Sequence, residues 1–387
     1  MKKNILTGIF CSLALLFNAL HAQQTLTKTI DVNGVKRSYI LYIPKVYTGT
    51  QKVPLLFCFH GYNMQASAQM AYGDFRKVAD TANFILVYPQ GSLLNNITHW
   101  NVGGWTLGST ANDIGFTKAM IDTLSTNYQI NLTRIYSTGF SNGGFFSFEL
   151  ACQMGEKIAA IGSVCGSMTP ETYKRCNPNH PMPTVQIHGT VDPVIRYTGE
   201  SFSLPIDSTL AYWNKINHTS RSVLIDSLPD TNLADACKVK RMLNDSGLFC
   251  NALLHYKIIN GKHTWPGTAG SVGAGTNQDF NASQAIWNFV SQYSIYGKIG
   301  CQTLGQKDIK KNETLLNAYP NPSNGILEIK GLPKDNQTYQ LMNSLGQIIS
   351  QGKIDQQTNT INVSNLAANI YFLQIGLQTL KIVKVDF

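Results

Sequence analysis

Gly139-Phe140-Ser141-Asn142-Gly143 stands between an apolar run, Arg134 to Thr138, and a stretch carrying Phe145, Phe148 and Leu150 at helical spacing. The first run reads as a strand and the second as a helix starting near Asn142. A serine inside G-x-S-x-G, between a strand and a helix, is the signature of a sharp turn that lifts a hydroxyl above a sheet. Such a turn needs small neighbours, because the backbone is strained and adjacent elements come close. Gly139, Gly143 and Gly144 supply them. The same turn aims the Asn142 N–H at the point the hydroxyl faces.

A serine nucleophile needs a base, and the base needs an acid to orient it. Downstream, the strand-like run Thr184 to His188 is followed by Gly189-Thr190-Val191-Asp192, and Leu253 to Ile259 by Asn260-Gly261-Lys262-His263. Both stretches lie just past the C-terminal ends of their strands, where open α/β sheets gather their sites. Asp192 is therefore the expected acid and His263 the expected base. His188 is the rival base and reads as a hydrogen-bonded structural histidine. Glu200 and Asp207 are rival acids, placed deeper in a polar insertion. The developing oxyanion needs two converging N–H donors. Asn142 offers one. The other is assigned to Tyr62, in His60-Gly61-Tyr62 directly after the apolar run Val53 to Phe59. Trp100, Trp105, Tyr197 and Trp265 fall in loops near these motifs and are expected to line an apolar substrate-binding surface.

Around this core of motifs the chain alternates strands and helices. Thr25 to Asp31 and Val35 to Tyr42 flank Asn33-Gly34, a hairpin signal. Val53 to Phe59, Phe84 to Tyr88 and Ile158 to Cys165 read as strands buried on both faces. Phe116, Met120, Ile121, Leu124 and Tyr128 follow helical spacing. A mostly parallel sheet of about eight strands, covered by helices, is the expected α/β architecture. Tyr197 to Asn251 is more polar, with one helix expected around Ser208 to Asn214 and loop elsewhere. From Leu315 the chain shows short strands at regular spacing, as in a small all-β sandwich. The boundaries read as a signal peptide over 1–22, a catalytic domain over 23–299, a linker over 300–313 and the sandwich over 314–387.

Composition limits the alternatives. The 387 residues are 43% hydrophobic and 14% charged, with a formal charge of +9 spread along the chain and no long basic block. Nucleic-acid binding is therefore not expected. Lys2 and Lys3, the apolar stretch Ile5 to Leu20 and Leu20-His21-Ala22 read as a cleavable export signal. No stretch is long enough for a stable membrane span. Cys11 lies in that leader, and an odd number of cysteines follows it. Cys152 with Cys176 and Cys237 with Cys250 are the expected disulfides, with Cys58 and Cys165 as buried thiols. There is no C-x-x-C spacing, so no structural zinc is expected, and the reaction calls for no cofactor or metal.

Phe59-His60-Gly61, Trp100-Asn101, Asp113-Ile114-Gly115-Phe116, the serine turn, His188-Gly189-Thr190-Val191-Asp192-Pro193 and His263-Thr264-Trp265-Pro266-Gly267 together resemble the polyhydroxybutyrate depolymerase and feruloyl/acetylxylan esterase family of α/β-hydrolases. The likeness covers roughly residues 25 to 298. It implies a secreted serine esterase with Ser141, Asp192 and His263 as its triad, acting on polyesters or on esterified polysaccharides. Around Asn217-His218 the chain lacks a cysteine found in many relatives. Tyr319-Pro320-Asn321-Pro322-Ser323-Asn324-Gly325, Ser344-Leu345-Gly346-Gln347, Asn369-Ile370-Tyr371 and Lys381-Ile382-Val383-Lys384 resemble the C-terminal sorting domain of the type IX secretion system. That implies the secretion machinery as a partner and an extracellular destination, with possible cell-surface attachment. A non-catalytic polymer-binding protein on a hydrolase scaffold, and a serine peptidase, are the competing readings.

Overall fold

The computed structural model describes residues 23–178, 180–219, 223–269, 273–301, 316–332, 337–343, 347–376 and 378–386. The expected export signal, nearly all of the expected linker and Ser344-Leu345-Gly346 lie outside them. The chain divides into two compact units, residues 1–301 and 302–387.

The first unit opens with a hairpin of β1 (Gln24–Val32) and β2 (Val35–Ile43). Its turn places Asn33 and Gly34 at φ 53° and 84°, the left-handed pair that a two-residue hairpin requires. Then come β3 (Val53–Phe59), α1 (Ala66–Tyr72), α2 (Arg76–Ala82), β4 (Ile85–Pro89) and a small hairpin of β5 (Ser92–Leu94) and β6 (Ile97–His99). They are followed by α3 (Asp113–Asn127), β7 (Ile130–Phe140), α4 (Asn142–Gln153), β8 (Ile158–Val164), α5 (Pro170–Arg175) and β9 (Thr184–Gly189). The unit ends with α6 (Ile206–Asn217), β10 (Leu224–Ser227), β11 (Lys238–Asn244), β12 (Leu253–Ile259) and α7 (Ala282–Val290).

Ten strands form one sheet in the order β1-β2-β4-β3-β7-β8-β9-β12-β11-β10. Every pairing from β4 to β12 is parallel. The flanking pairs are antiparallel. β3, β4 and β8 are buried along their whole length, which is why they read as near-continuous apolar runs; β9 is buried as well but carries Gln186 and His188. Successive residues of β3 show the two-residue period of a strand. Leu55, Phe57 and Phe59 join a core with Phe116, Met120, Phe145 and Trp213 of α3, α4 and α6. Leu56 and Cys58 join the opposite core, with Val78, Ala79, Ile286 and Trp287 of α2 and α7. With all site-bearing strands parallel, their C-terminal ends share one edge of the sheet.

Two expectations are corrected here. The polar stretch 197–251 holds the expected helix, α6, but also two strands that were not expected, β10 and β11, which extend the sheet beyond the eight strands expected. β11 was hidden because it buries Val239 while Lys238, Lys240 and Arg241 face solvent, as befits a strand near an edge. The second correction concerns the cysteines. Cys152 pairs with Cys176 as expected, but Cys250 pairs with Cys301 and not with Cys237. Cys237 is turned into the core and, like Cys58 and Cys165, is a buried free thiol. α7, a stretch on which the sequence reading is silent, carries Ile286, Trp287 and Val290 against the sheet.

In the second unit, strands Asn317–Tyr319, Ile326–Lys330 and Thr360–Asn362 form one sheet, and Gln337–Met342, Ile348–Ile354, Asn369–Ile375 and Gln378–Lys384 form another. All pairings are antiparallel. Leu327 and Ile329 of the first sheet share a core with Leu341, Leu373 and Ile382 of the second, which makes the unit a small β-sandwich.

Candidate active site

Ser141 sits between β7 and α4 at φ 53°, ψ −119°, a conformation that costs energy for any residue with a Cβ. The chain is pinned there from both sides. The Ser141 N–H donates to the Val164 carbonyl at 2.8 Å, and its own carbonyl accepts from the Phe145 N–H at 3.0 Å. The flanking glycines are a packing necessity. A Cβ on Gly143 would fall 2.2 Å from the Phe59 carbonyl oxygen, and one on Gly139 would fall 2.4 Å from the Gly143 carbonyl carbon. The loop after β3 reaches the same place, since a Cβ on Gly61 would lie 3.5 Å from the Ser141 Cβ.

The loops after β9 and β12 are drawn together by another bare backbone contact. A Cβ on Gly189 would lie 2.1 Å from the Gly261 carbonyl oxygen, and the Val191 N–H donates to that oxygen at 3.1 Å. His263 and Asp192 meet as a result: the imidazole Nδ1 lies 2.8 Å from the Asp192 Oδ2. The other carboxylate oxygen accepts the Val194 and Ile195 N–H groups at 2.8 and 2.9 Å, which fixes the acid. Burial works against ionising Asp192. The hydrogen bond and charge of His263, the nearby His188 and the Ile195 N–H outweigh it, and the carboxyl is held below its ordinary range. An ionised acceptor puts the imidazole hydrogen on Nδ1 and leaves Nε2 with its lone pair. The ring packs against Phe140, centroids 4.8 Å apart, beside the turn that carries Ser141.

The rivals are engaged elsewhere. His188 is buried, with Nε2 2.9 Å from the Ile195 carbonyl and 3.4 Å from Asp192 Oδ2. Its Nδ1 lies 3.2 Å from the Gln186 amide nitrogen. Burial lowers its pKa, so it stays neutral and braces the acid's loop. Asp207 accepts the Tyr197 hydroxyl at 2.7 Å, and Glu200 accepts the Arg196 N–H at 3.2 Å.

Asn142 opens α4, so its N–H is one that the helix leaves without an internal acceptor. Its side chain accepts from the Trp100 N–H at 2.7 Å and donates to the Trp100 carbonyl at 3.1 Å, clamping that loop to the turn. His60, unassigned by the sequence reading, has a positioning task. The Gly91 N–H donates to its Nε2 at 2.8 Å, so Nδ1 carries the hydrogen and donates to the Gly61 carbonyl at 2.7 Å. With that carbonyl held, the Tyr62 N–H at the other side of the same planar peptide points the opposite way.

The aromatic expectation fails for three of four residues. Trp100 is 0% exposed, stacked on Phe146 and hydrogen-bonded through Nε1 to the His60 carbonyl at 2.9 Å. Trp265 is buried, edge-on to Phe75 and bonded to the Ser283 hydroxyl at 3.2 Å. Tyr197 is buried over Asp207 and His255. These rings hold the loops in place and offer no face to a ligand. Trp105 is partly exposed, packed edge-on against Phe145 and Phe202. The sequence reading also missed the neighbour of the acid. Cys165, at the end of β8 with φ 54°, sets its sulfur 3.4 Å from the Thr264 carbonyl and close to both Asp192 and His263.

Buried imidazoles make the fold acid-sensitive. Burial pushes His60 and His255 down to about 4 and lowers His188 as well. In the unfolded chain the same rings titrate near roughly 6.5. Between these values the unfolded state binds protons that the folded state refuses, so stability falls as pH drops through that window. Urea midpoints measured from pH 8 to 4 should be flat above 7 and then decline. The expected size is on the order of 3 kcal/mol for a ring carried through the whole window. A flat series down to pH 4 would contradict the buried neutral histidines.

Residues 109–224, which span Ser141 and Asp192, match the family described as Phospholipase/Carboxylesterase. This unit has the α/β-hydrolase fold. Residues 317–385 match the Secretion system C-terminal sorting domain. The chain is 25% identical over 273 residues to a Bifunctional acetylxylan esterase/xylanase XynS20E of Neocallimastix patriciarum, covering 70% of this chain and 36% of that protein. It is 30% identical over 165 residues to Feruloyl esterase B of Piromyces equi, covering 42% of this chain and 30% of that one. The chain thus spans about a third of the length of these two curated relatives. Among solved structures, an Acetyl xylan esterase from Aspergillus awamori superposes on the α/β-hydrolase with a TM-score of 0.46 at 14% identity, over 63% of this chain and 94% of that one. Among the described residues, no helix of the α/β-hydrolase or of the sandwich is long and apolar enough to cross a membrane.

Proposed function

We propose that the chain is an exported serine carboxylic-ester hydrolase that works through Ser141, His263 and Asp192. The observation that carries this reading is the His263–Asp192 hydrogen bond, at 2.8 Å, with the imidazole packed on the turn that presents Ser141. The Ser141 hydroxyl attacks the ester carbonyl while His263 Nε2 takes its proton. The Asn142 and Tyr62 N–H groups hold the oxyanion. His263 then gives the proton to the departing alcohol, leaving an acyl-serine. Water activated by the same nitrogen attacks the acyl carbon, releases the acid and restores the serine. Asp192 keeps the imidazole in the tautomer that both steps need and stabilises its charged form.

The substrate class proposed is the feruloyl or acetyl ester of a plant polysaccharide, supported by the names of the relatives. Polyhydroxybutyrate-type polyesters are the second substrate class, supported by the motif resemblance. The sandwich acts as an export address read by a type IX secretion system. Ferulate and acetate release from esterified xylan, measured beside hydroxybutyrate release from a polyester film, is the deciding assay. Release from xylan is expected to dominate. Turnover of the polyester alone would overturn the substrate assignment.

A further inference from the structure

We propose that Cys165, Asp192 and His263 form a binding site for a soft divalent cation, Zn²⁺ or Cd²⁺, whose occupancy switches hydrolysis off. One ligand atom from each residue, a thiol sulfur, a carboxylate oxygen and an imidazole nitrogen, lies within 4.8 Å of the other two. The three come from different places in the chain: Cys165 from the end of β8, Asp192 from the loop after β9 and His263 from the loop after β12. Sulfur, nitrogen and oxygen together make a donor set that zinc and cadmium favour.

The surroundings single this group out. Asp192 Oδ1 is already taken by the Val194 and Ile195 N–H groups, so Oδ2 is the oxygen turned toward the imidazole. The other two free thiols have different company: Cys58 lies beside the Gln69 amide and Cys237 beside the Asp235 carbonyl. Charge also balances. A dication with one thiolate and one carboxylate is neutral overall, which a buried site tolerates far better than an unpaired charge. The fourth position is open to water or to the Thr264 carbonyl, 3.4 Å from the sulfur.

Binding has a defined proton balance. The cation forms bonds to sulfur, Oδ2 and Nδ1. The Cys165 thiol loses one proton to solvent. The imidazole stays neutral, but its hydrogen moves from Nδ1 to Nε2. An Nε2 that carries hydrogen cannot accept one from Ser141. Inhibition therefore follows from a tautomer change, with no need to block the cleft. Because the cation displaces the thiol proton, its grip should tighten as pH rises. His263 is the partly exposed member, with 13% of its side chain accessible, so entry passes through its loop and onset should be slow.

Binding stands independently of the catalytic reading, whereas its effect on turnover rests on that reading. The test adds Cd²⁺ to the full chain and follows ultraviolet cadmium–thiolate absorption. In parallel, Zn²⁺ is titrated against hydrolysis of a chromogenic ester, each protein normalised to its own metal-free rate. The parent should gain about one thiolate-bound cadmium more than Cys165→Ser. The zinc concentration for half-inhibition should rise at least about tenfold in that variant, and EDTA should restore the parent. Should Cys165→Ser not fold, His263→Gln keeps the thiol and removes the nitrogen ligand, and cadmium affinity should fall by about tenfold or more. Equal cadmium absorption and equal zinc sensitivity in Cys165→Ser overturn the proposal, as does unchanged cadmium affinity in His263→Gln. Cadmium bound at Cys165 with turnover untouched overturns the switch; a parent with no esterase activity before metal is added overturns the catalytic reading instead.

Discussion

Ser141→Ala is expected to lower kcat/KM on a short-chain chromogenic ester by about 10⁵- to 10⁶-fold, the scale on which losing a serine nucleophile acts in a triad enzyme. The fold should be untouched. The Ser141 side chain makes no capping bond to α4, and the turn is held by backbone contacts that alanine keeps. Alanine has the same Cβ as serine, so φ 53° is no harder to hold. Thermal melting should shift by no more than a few degrees, roughly 1 kcal/mol, since the buried Ser141 hydroxyl makes no capping bond that alanine would lose. A fluorophosphonate probe should label the parent once and leave the variant unlabelled. Retained turnover within tenfold of the parent, in a folded variant, would end the proposal that Ser141 is the nucleophile.

Asp192→Asn is the second large effect, expected at about 10⁴-fold in kcat. The amide oxygen can still accept the Val194 and Ile195 N–H groups that Asp192 Oδ1 receives. The amide NH₂ then faces His263 Nδ1, a donor where the parent has an acceptor. The imidazole responds by carrying its hydrogen on Nε2, the tautomer that cannot take a proton from serine. Geometry survives and chemistry does not. The variant should bind substrate with little change in KM while kcat collapses. A loss of less than tenfold would move the acid's role to another carboxylate, with Asp207 or Glu200 the first to test.

The site's framework was legible because its signals are local. Val53–Phe59 is an unbroken apolar run and Leu253–Ile259 a mostly apolar one interrupted by His255 and Lys257; each ends at a polar residue, and both strands occupy those spans. The turn at Ser141 announces itself through glycines that pack too tightly for any side chain. Asp192 and His263 were chosen by place, one loop after each of two strands, and the sheet order brings those loops side by side. What was illegible depends on partners far away in the chain. A tryptophan in a loop reads the same whether it faces a ligand or, as Trp100 does, the rings of Phe59 and Phe146. Cys237 and Cys301 are equally good partners for Cys250 on paper, and only the packing of Cys237 into the core decides between them. β11 alternates lysine with apolar residues too weakly to stand out from its polar neighbourhood. His60 and Cys165 lie in apolar surroundings that suggest packing alone, and their roles appear only once Gly61 and Asp192 are seen beside them.

The Cys250–Cys301 bond has a reach beyond its two sulfurs. The 51-residue span it closes holds β12, His263 and α7, so His263 is carried on a covalent ring. By chain entropy alone, a ring of that size withholds about 4 kcal/mol from the unfolded state. Under reducing conditions the chain lacks this tether, and it gains it on oxidation. Residue 301 is also the last of the first unit, moored to its own body. An exopeptidase eating inward from the tail would meet a knot there before it reached any residue of the hydrolase sheet.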